Sequence, residues 1–309
     1  MSLRSPAPPA AVVGLSAAAA LALLVLGAMA MGISPVFVRQ SEVGSFASAF
    51  WRVALALPLL LAWALAGRAS ATEPLWAGLR RPAILLSGLF FSGDLIFWHL
   101  AIAHTSIASA TFLACLAPLW VALLSRLTIG EAVTRRTVIG LCICVPGAGL
   151  LILHSAGDGS GQWLGDLYGV LTSFFFGLYF LTVRSARKDL GAGATTFLST
   201  LITAVILFAA AAIAGGGFIP PTLDGAYNLV ALGLISHAGG QGLLTIALGV
   251  LSASFSSLVI FVEAVAAALF GWLFAGEALV PLQIAGGVLI LFGVWIARPA
   301  PSPATPAGA

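Results

Sequence analysis

The chain is 309 residues long, 61% hydrophobic and only 7% charged, where a soluble domain carries about 25% charged residues. That composition cannot cover a water-facing surface; it excludes a soluble enzyme or adaptor and points to an integral membrane protein. The net charge of +3, from 13 basic and 10 acidic residues, is not a polybasic signature, and nucleic acid is not an expected partner.

The first apolar run, Ala10 to Phe37, outlasts a signal-peptide core despite the cleavage-like Ala28-Met29-Ala30, so it reads as a retained helix. Ten apolar segments approach the roughly 20 residues needed to span a bilayer. They are 12–37, 45–66, 83–103, 106–128, 132–153, 164–184, 192–215, 227–249, 252–274 and 278–298. Residues 1–11 precede them, and the Pro/Ala-rich 299–309 follows as a tail with little to fold around. Most joints are short and carry turn residues, such as Gly191 and Pro220-Pro221. Gly67 to Pro82 is longer, and the Gly/Ser-rich 154–163 divides the chain into 12–153 and 164–298. Cys115, Cys142 and Cys144 lie inside apolar runs and read as small helix residues, not as a disulfide or metal framework.

Ser106 to Gly147 returns, shifted by 146, as Ser252 to Gly293. Gly130-Glu131 meets Gly276-Glu277, Gly140 meets Gly286, and Gly147 meets Gly293. Basic residues mark the cytoplasmic side. With the N-terminus inside, Arg4, Arg68, Arg80, Arg81, Arg126, Arg135, Arg136, Arg184, Arg187, Lys188 and Arg298 all fall there, leaving Arg39 and Arg52 towards the outside. Five helices per half is an odd number, so the second half enters upside down. The expected fold is therefore an all-α integral membrane protein of ten transmembrane helices in two inverted-topology five-helix repeats, both termini cytoplasmic. Carriers built this way bind substrate near the midplane, where the halves meet.

The turn Leu127-Thr128-Ile129-Gly130-Glu131, its echo at Leu273 to Glu277, Gly32-Ile33-Ser34-Pro35 and Arg52 within an apolar run resemble the drug/metabolite transporter superfamily, in its ten-helix EamA-type branch. The chain looks most like YddG-type exporters of aromatic and other neutral amino acids in the bacterial inner membrane. The resemblance implies alternating access without ATP, and there is no G-x-x-x-x-G-K-[ST] motif. Pro118 keeps the family's helix-4 proline, whereas Ala264 stands where members often carry proline after the acid.

Charges at bilayer depth cost roughly 2.5–3.5 kcal/mol at a helix centre by insertion scales and default to functional candidates. Asp94, His237 and Glu263 lie near the middles of three helices. Asp94 and Trp98 share a helix face, as do His237 and Gln241 beside Gly239-Gly240. The expected substrate-binding set is Asp94, Trp98, His99, Tyr179, His237, Gln241 and Glu263, with the carboxylates suited to an ammonium group or a coupling proton. Trp98, His99 or the Phe174-Phe175-Phe176 run would stack on a ring. Bland readings stand beside these: a protonated carboxyl bonded to a neighbouring helix, an interhelical hydrogen bond for His237, and an interfacial aromatic belt for Trp98, His99 and Tyr179. Arg52 would attract a carboxylate, pair with Glu42 or snorkel outward. Glu131 and Glu277 would cap helix N-termini. The expectation is a transporter of small metabolites, most of all amino acids, with no cofactor and no metal. A cationic drug or nucleotide-sugar carrier, an intramembrane enzyme and a receptor or scaffold are the rivals.

Overall fold

The computed structural model describes residues 15–67, 73–104, 107–153, 163–275 and 280–298. The N-terminal stretch, the inter-repeat loop from His154, Glu277 and the Pro/Ala tail fall outside them. Among the described residues every element is helical. The principal helices are α1 Ala17–Arg39, α2 Ser45–Ala66, α3 Pro82–His104, α4 Ala110–Thr128, α5 Arg135–Leu153, α6 Trp163–Ala186, α7 Ala192–Ala214, α8 Leu223–Ala247, α9 Ala253–Phe274 and α10 Pro281–Ala297. Eight are long and apolar enough to cross a membrane; α5, of 19 residues, and α10, of 17, complete the set.

Several helices are interrupted near their middles, and chemistry on the chain explains where. Proline has no N–H and crowds the carbonyl one turn back. Accordingly α1 breaks at Ile33 before Pro35, α2 at Leu55-Ala56 before Pro58, and α4 at Cys115-Leu116 before Pro118. The break in α9 at Ile260 comes without a proline, four residues before Ala264, where the family often has one. There the Ser257 hydroxyl donates to Ser254 O at 3.1 Å and the Glu263 N–H to Ile260 O at 2.8 Å. Serine hydroxyls compete with the backbone ladder and loosen the turn. Inside α8, Leu232–Gln241 is wound as a π-helix, a widened form that collects at functional positions.

Three boundaries differ from the sequence expectation. The Gly67–Pro82 joint contains a 3-10 helix, Leu75–Arg80, anchored by buried Leu75 and by Arg81, whose Nη1 lies 2.9 Å from Asp189. α5 starts at Arg135, not 132, because the Thr134 hydroxyl accepts from the Thr137 N–H at 3.1 Å. α8 starts four residues early, capped by Thr222, which accepts from the Gly225 N–H at 3.1 Å.

Small residues set the packing. A Cβ on Gly140 would stand 2.6 Å from Gly293 O, and one on Gly147 would stand 2.9 Å from Gly286 O. The contacts are reciprocal, since Gly293 meets Gly140 O at 2.8 Å. As residue numbers rise on α5 they fall on α10, so these two helices run antiparallel with their backbones nearly touching, the arrangement small residues permit. Other contacts recur between the halves. A Cβ on Gly32 of α1 would stand 2.8 Å from Glu263 O and 2.7 Å from Ala266 Cβ; one on Gly177 of α6 would stand 3.1 Å from Ala117 O and 2.9 Å from Trp120 Cβ. Gly233 abuts Arg52 O and Leu55 Cβ, as Gly88 abuts Ser199 O and Ile202 Cβ.

This geometry predicts that Gly140→Val, although still apolar, overpacks the α5–α10 seam and costs about 1–3 kcal/mol, whereas Gly191→Ala, with nothing within 4 Å, stays within about 0.5 kcal/mol. Reversible SDS unfolding of the purified variants checks this. Equal stabilities would show that the glycines do not set the spacing.

Candidate functional site

The breaks in α1, α4 and α9 border one cavity, which takes in about 630 Å³ of unfilled space with the open solvent at its mouth included. α1 contributes Met31, Gly32, Ser34 and Pro35; α2 gives Arg52; α3 gives Phe91, Asp94, Leu95 and Trp98. α4 adds Thr111, Ala114 and Cys115, α6 adds Thr172 and Phe176, α8 adds Gln241, and α9 adds Ile260, Glu263 and Ala267. Both halves build it. Interrupted helices facing a cavity are where non-helical backbone is tolerated at membrane depth, because the freed polar groups meet water or ligand there.

Four residues of the expected set line this space: Asp94, Trp98, Gln241 and Glu263. The other three lie behind its wall. His99 is 2% exposed, its Nδ1 lying 2.7 Å from Leu95 O and its Nε2 3.5 Å from the Ser48 hydroxyl. It meets Trp98 edge-on, ring centroids 5.0 Å apart, and so buttresses the tryptophan. His237 is turned towards α7, where its Nε2 is 2.9 Å from the Thr200 hydroxyl, and its ring lies against Phe91. The interhelical hydrogen bond is therefore the reading that its geometry matches. Tyr179 is also buried; its hydroxyl donates to Gln241 Oε1 at 3.3 Å and its ring packs on Phe91 at 4.6 Å. Gln241 in turn donates to Met31 Sδ at 3.2 Å. Tyr179 and Met31 thus hold the Gln241 amide between α6 and α1. The π-helical winding explains why His237 and Gln241 part company, since the wider turn changes the α-helical register that would have stacked them. Of the phenylalanine run, Phe176 lines the cavity, while Phe174 and Phe175 pack on Trp120, Phe90 and Phe97.

Of the three readings the sequence left open for Arg52, the structure removes two. Arg52 neither snorkels nor pairs with Glu42. It is 6% exposed and in the cavity wall, while Glu42 accepts from the Thr222 hydroxyl at 2.6 Å. Asp94 and Glu263, near enough to interact with it electrostatically, line the same cavity. The available signal was the position of Arg52 seven residues inside an apolar helix, on the turn before the Pro58 break.

The lining residues occupy the parts of the helices away from the Gly130-Glu131 turn, and that end is tied shut. Glu131 does not cap the helix after its own turn. Its Oε1 lies 2.5 Å from Arg184 Nε on α6, and its Oε2 accepts the Ala253 N–H at 2.9 Å, capping α9 instead. The acid neutralises an arginine and satisfies a helix N-terminus together. Arg184 also donates to Leu248 O at 2.7 Å, Arg187 to Thr245 O at 3.0 Å, and Lys188 to Ile129 O at 3.4 Å. One cluster therefore joins the α4–α5 turn, the end of α6 and the α8–α9 turn.

The EamA-like transporter family matches residues 18–153 and again 163–298. The chain belongs to this family and carries two copies of its repeat. It is 32% identical over 213 residues to the pseudopaline exporter CntI of Pseudomonas aeruginosa, covering 68% of this chain and 72% of that protein. It is 25% identical to an uncharacterized transporter of Archaeoglobus fulgidus over 89% of this chain and 95% of that protein, and 29% identical to the uncharacterized transporter YdfC of Bacillus subtilis over 69% and 70%. A solved crystal structure superposes with a TM-score of 0.75 at 18% identity, over 91% of this chain and 98% of that one, which shows a shared fold. The protein is thus a multi-pass membrane transporter.

The cluster at the closed end predicts that Glu131→Gln costs about 1.5–3 kcal/mol, the usual worth of hydrogen bonds to a charged group. The exchange Glu131→Arg with Arg184→Glu restores the ion pair but not the cap on Ala253, so it recovers only part of that loss. Thermal unfolding in detergent checks both. Full recovery by the exchange would show that the cap contributes nothing.

Proposed function

We propose that this transporter exports small amino-acid-type metabolites, neutral and aromatic amino acids foremost, from a bacterial cytoplasm across the inner membrane. All ten helices cross the bilayer in this reading, both termini are cytoplasmic, and the second repeat is inverted relative to the first. The observation that carries the proposal is the cavity itself. At membrane depth, walled by both repeats, it counts two carboxylates, a tryptophan and a guanidinium in its lining. Antiparallel α5 and α10, and the matched glycine contacts of α1 with α9 and α6 with α4, support the inversion.

Asp94 and Glu263 take the ammonium group, and Trp98, braced by His99, faces the side chain. Phe176 and Phe91 complete an apolar wall. In this reading the cavity opens away from the Glu131 cluster, and the conformation is one half of an alternating-access cycle. In the other half the Glu131–Arg184 tie opens and the far ends of α1, α3, α4 and α9 close over the site. The second reading comes from the Pseudomonas relative, whose name assigns it pseudopaline; a larger metabolite of that kind would fill the cavity and its mouth.

Uptake into liposomes carrying the purified protein tests the proposal, with labelled phenylalanine, tryptophan, methionine, threonine and pseudopaline, each with and without a pH gradient. Amino acid flux is expected, with its half-saturation raised about tenfold or more in Asp94→Asn or Glu263→Gln, the loss of a charged hydrogen bond. Flux driven by the gradient recasts these acids as proton carriers. Pseudopaline flux with no amino acid flux overturns the amino acid assignment.

A further inference from the structure

We infer that Arg52 is the anion-binding residue of the cavity and that it fixes the substrate class as a carboxylate-bearing zwitterion, held with its carboxylate at α2 and its ammonium at α3 and α9. This rests on the transport reading above and adds to it the group that selects the substrate's acid end.

Four observations carry the inference. Arg52 is 6% exposed and lines the cavity, yet its Nε has no hydrogen-bond partner. Leaving a buried charged donor unsatisfied is costly, so a partner that arrives with the substrate completes the site. The internal candidates do not fill that role. Glu42 is engaged by Thr222, and among the described residues no ion pair joins Arg52 to Asp94 or Glu263. Third, the backbone at Arg52 is pinned: Gly233 on α8 packs against Arg52 O and Leu55 Cβ, so only the side chain is free to adjust. Fourth, the packing itself does not need an arginine. In the other half Gly88 abuts Ser199 O and Ile202 Cβ in the same arrangement, with a serine where Arg52 stands. A guanidinium presents a planar fork of donors that matches a carboxylate in two parallel hydrogen bonds. Asp94 and Glu263, in the same lining, then take the opposite charge of the same molecule, and each charge that enters the low-dielectric site finds a counter-charge.

Equilibrium binding to the purified protein in detergent tests this with three labelled probes: phenylalanine, phenethylamine, which lacks the carboxylate, and 3-phenylpropionate, which lacks the ammonium. The Arg52→Gln protein, shown monodisperse by gel filtration, is expected to bind phenylalanine and 3-phenylpropionate at least tenfold more weakly while phenethylamine binding is unchanged. Arg52→Lys, which keeps the charge but not the fork, is expected to recover part of the loss and so guards against a mere folding defect. Equal weakening of all three probes, or phenylalanine binding unchanged in Arg52→Gln, overturns the role of Arg52 and leaves amino acid transport standing. Arg52-dependent binding of 3-phenylpropionate without binding of phenylalanine upholds the anion site and overturns the zwitterion. Wild-type protein that binds neither carboxylate overturns the inference entirely.

Discussion

A bilayer interior supplies no hydrogen-bond partner and no counter-charge, so any polar group placed there must be answered by the protein or by something the protein lets in. That constraint shapes this molecule. Thr172, Thr182, Thr195 and Thr196 return their hydroxyls to carbonyls on their own helices. His99 is answered by Ser48 and Leu95, and Nε2 of His237 by Thr200, while its Nδ1 has no partner among the described residues. Asp94, Glu263 and Arg52 are gathered instead around the cavity where α1, α4 and α9 give up regular helical winding. Broken backbone and unanswered charge occupy the same place because each requires a polar, accessible environment.

The closing of one end depends on the same economy of partners. Glu131 is one-fifth exposed or less, as is Arg184, and the pair would be a poor source of stability if it were only an ion pair with side chains half out of water. Its value lies in connection. A single carboxylate satisfies a guanidinium on α6 and an otherwise open N–H at the start of α9, while that guanidinium also reaches Leu248 O. Three helix ends from both repeats are thereby held by a few directional bonds. Such bonds are discrete: broken, they leave apolar helix faces and glycine seams, which slide with little directional resistance.

The architecture was legible because its causes are repetitive. Apolar runs separated by turn residues gave helix positions to within a few residues, and the Gly130-Glu131 echo gave the repeat. The misreadings have local physical origins. The helix-9 break needed no proline, because the serines around Ser257 loosened the turn. The early start of α8 rested on Thr222, and its π-helical winding redirected His237 and Gln241 in a way no α-helical spacing rule anticipates. Glu131 was read as a local cap because sequence proximity favours the helix next in the chain, whereas the fold brings Ala253 nearer. Arg52 kept three readings, attraction of a carboxylate among them, because helix position alone does not reveal which face is walled in by α8. The site residues divided along similar lines: Asp94 and Trp98 share a continuous helix, where spacing is a sound guide, whereas His237 and Tyr179 are held back by partners on other helices, Thr200 and Gln241.

The repeated scaffold carries an unrepeated site. Where matched contacts align the halves, Glu263 corresponds to Ala117, Arg52 to Ser199 and Asp94 to Gly239. The small mates are required by packing: Ala117 is fully buried and lends its carbonyl to the close approach of Gly177, a seam with no room for a carboxylate. On the other side the same approach is made by Gly32 to the backbone of Glu263, which leaves that side chain directed into the cavity. Near-identical backbone contacts thus serve two ends. One copy closes the helices on each other with alanine and serine, and the other uses the same spacing to present charge. A symmetric bundle has two equivalent conformations available in principle, and the placement of all three charges at one set of positions makes the ligand-binding chemistry single while the motion stays shared by both halves.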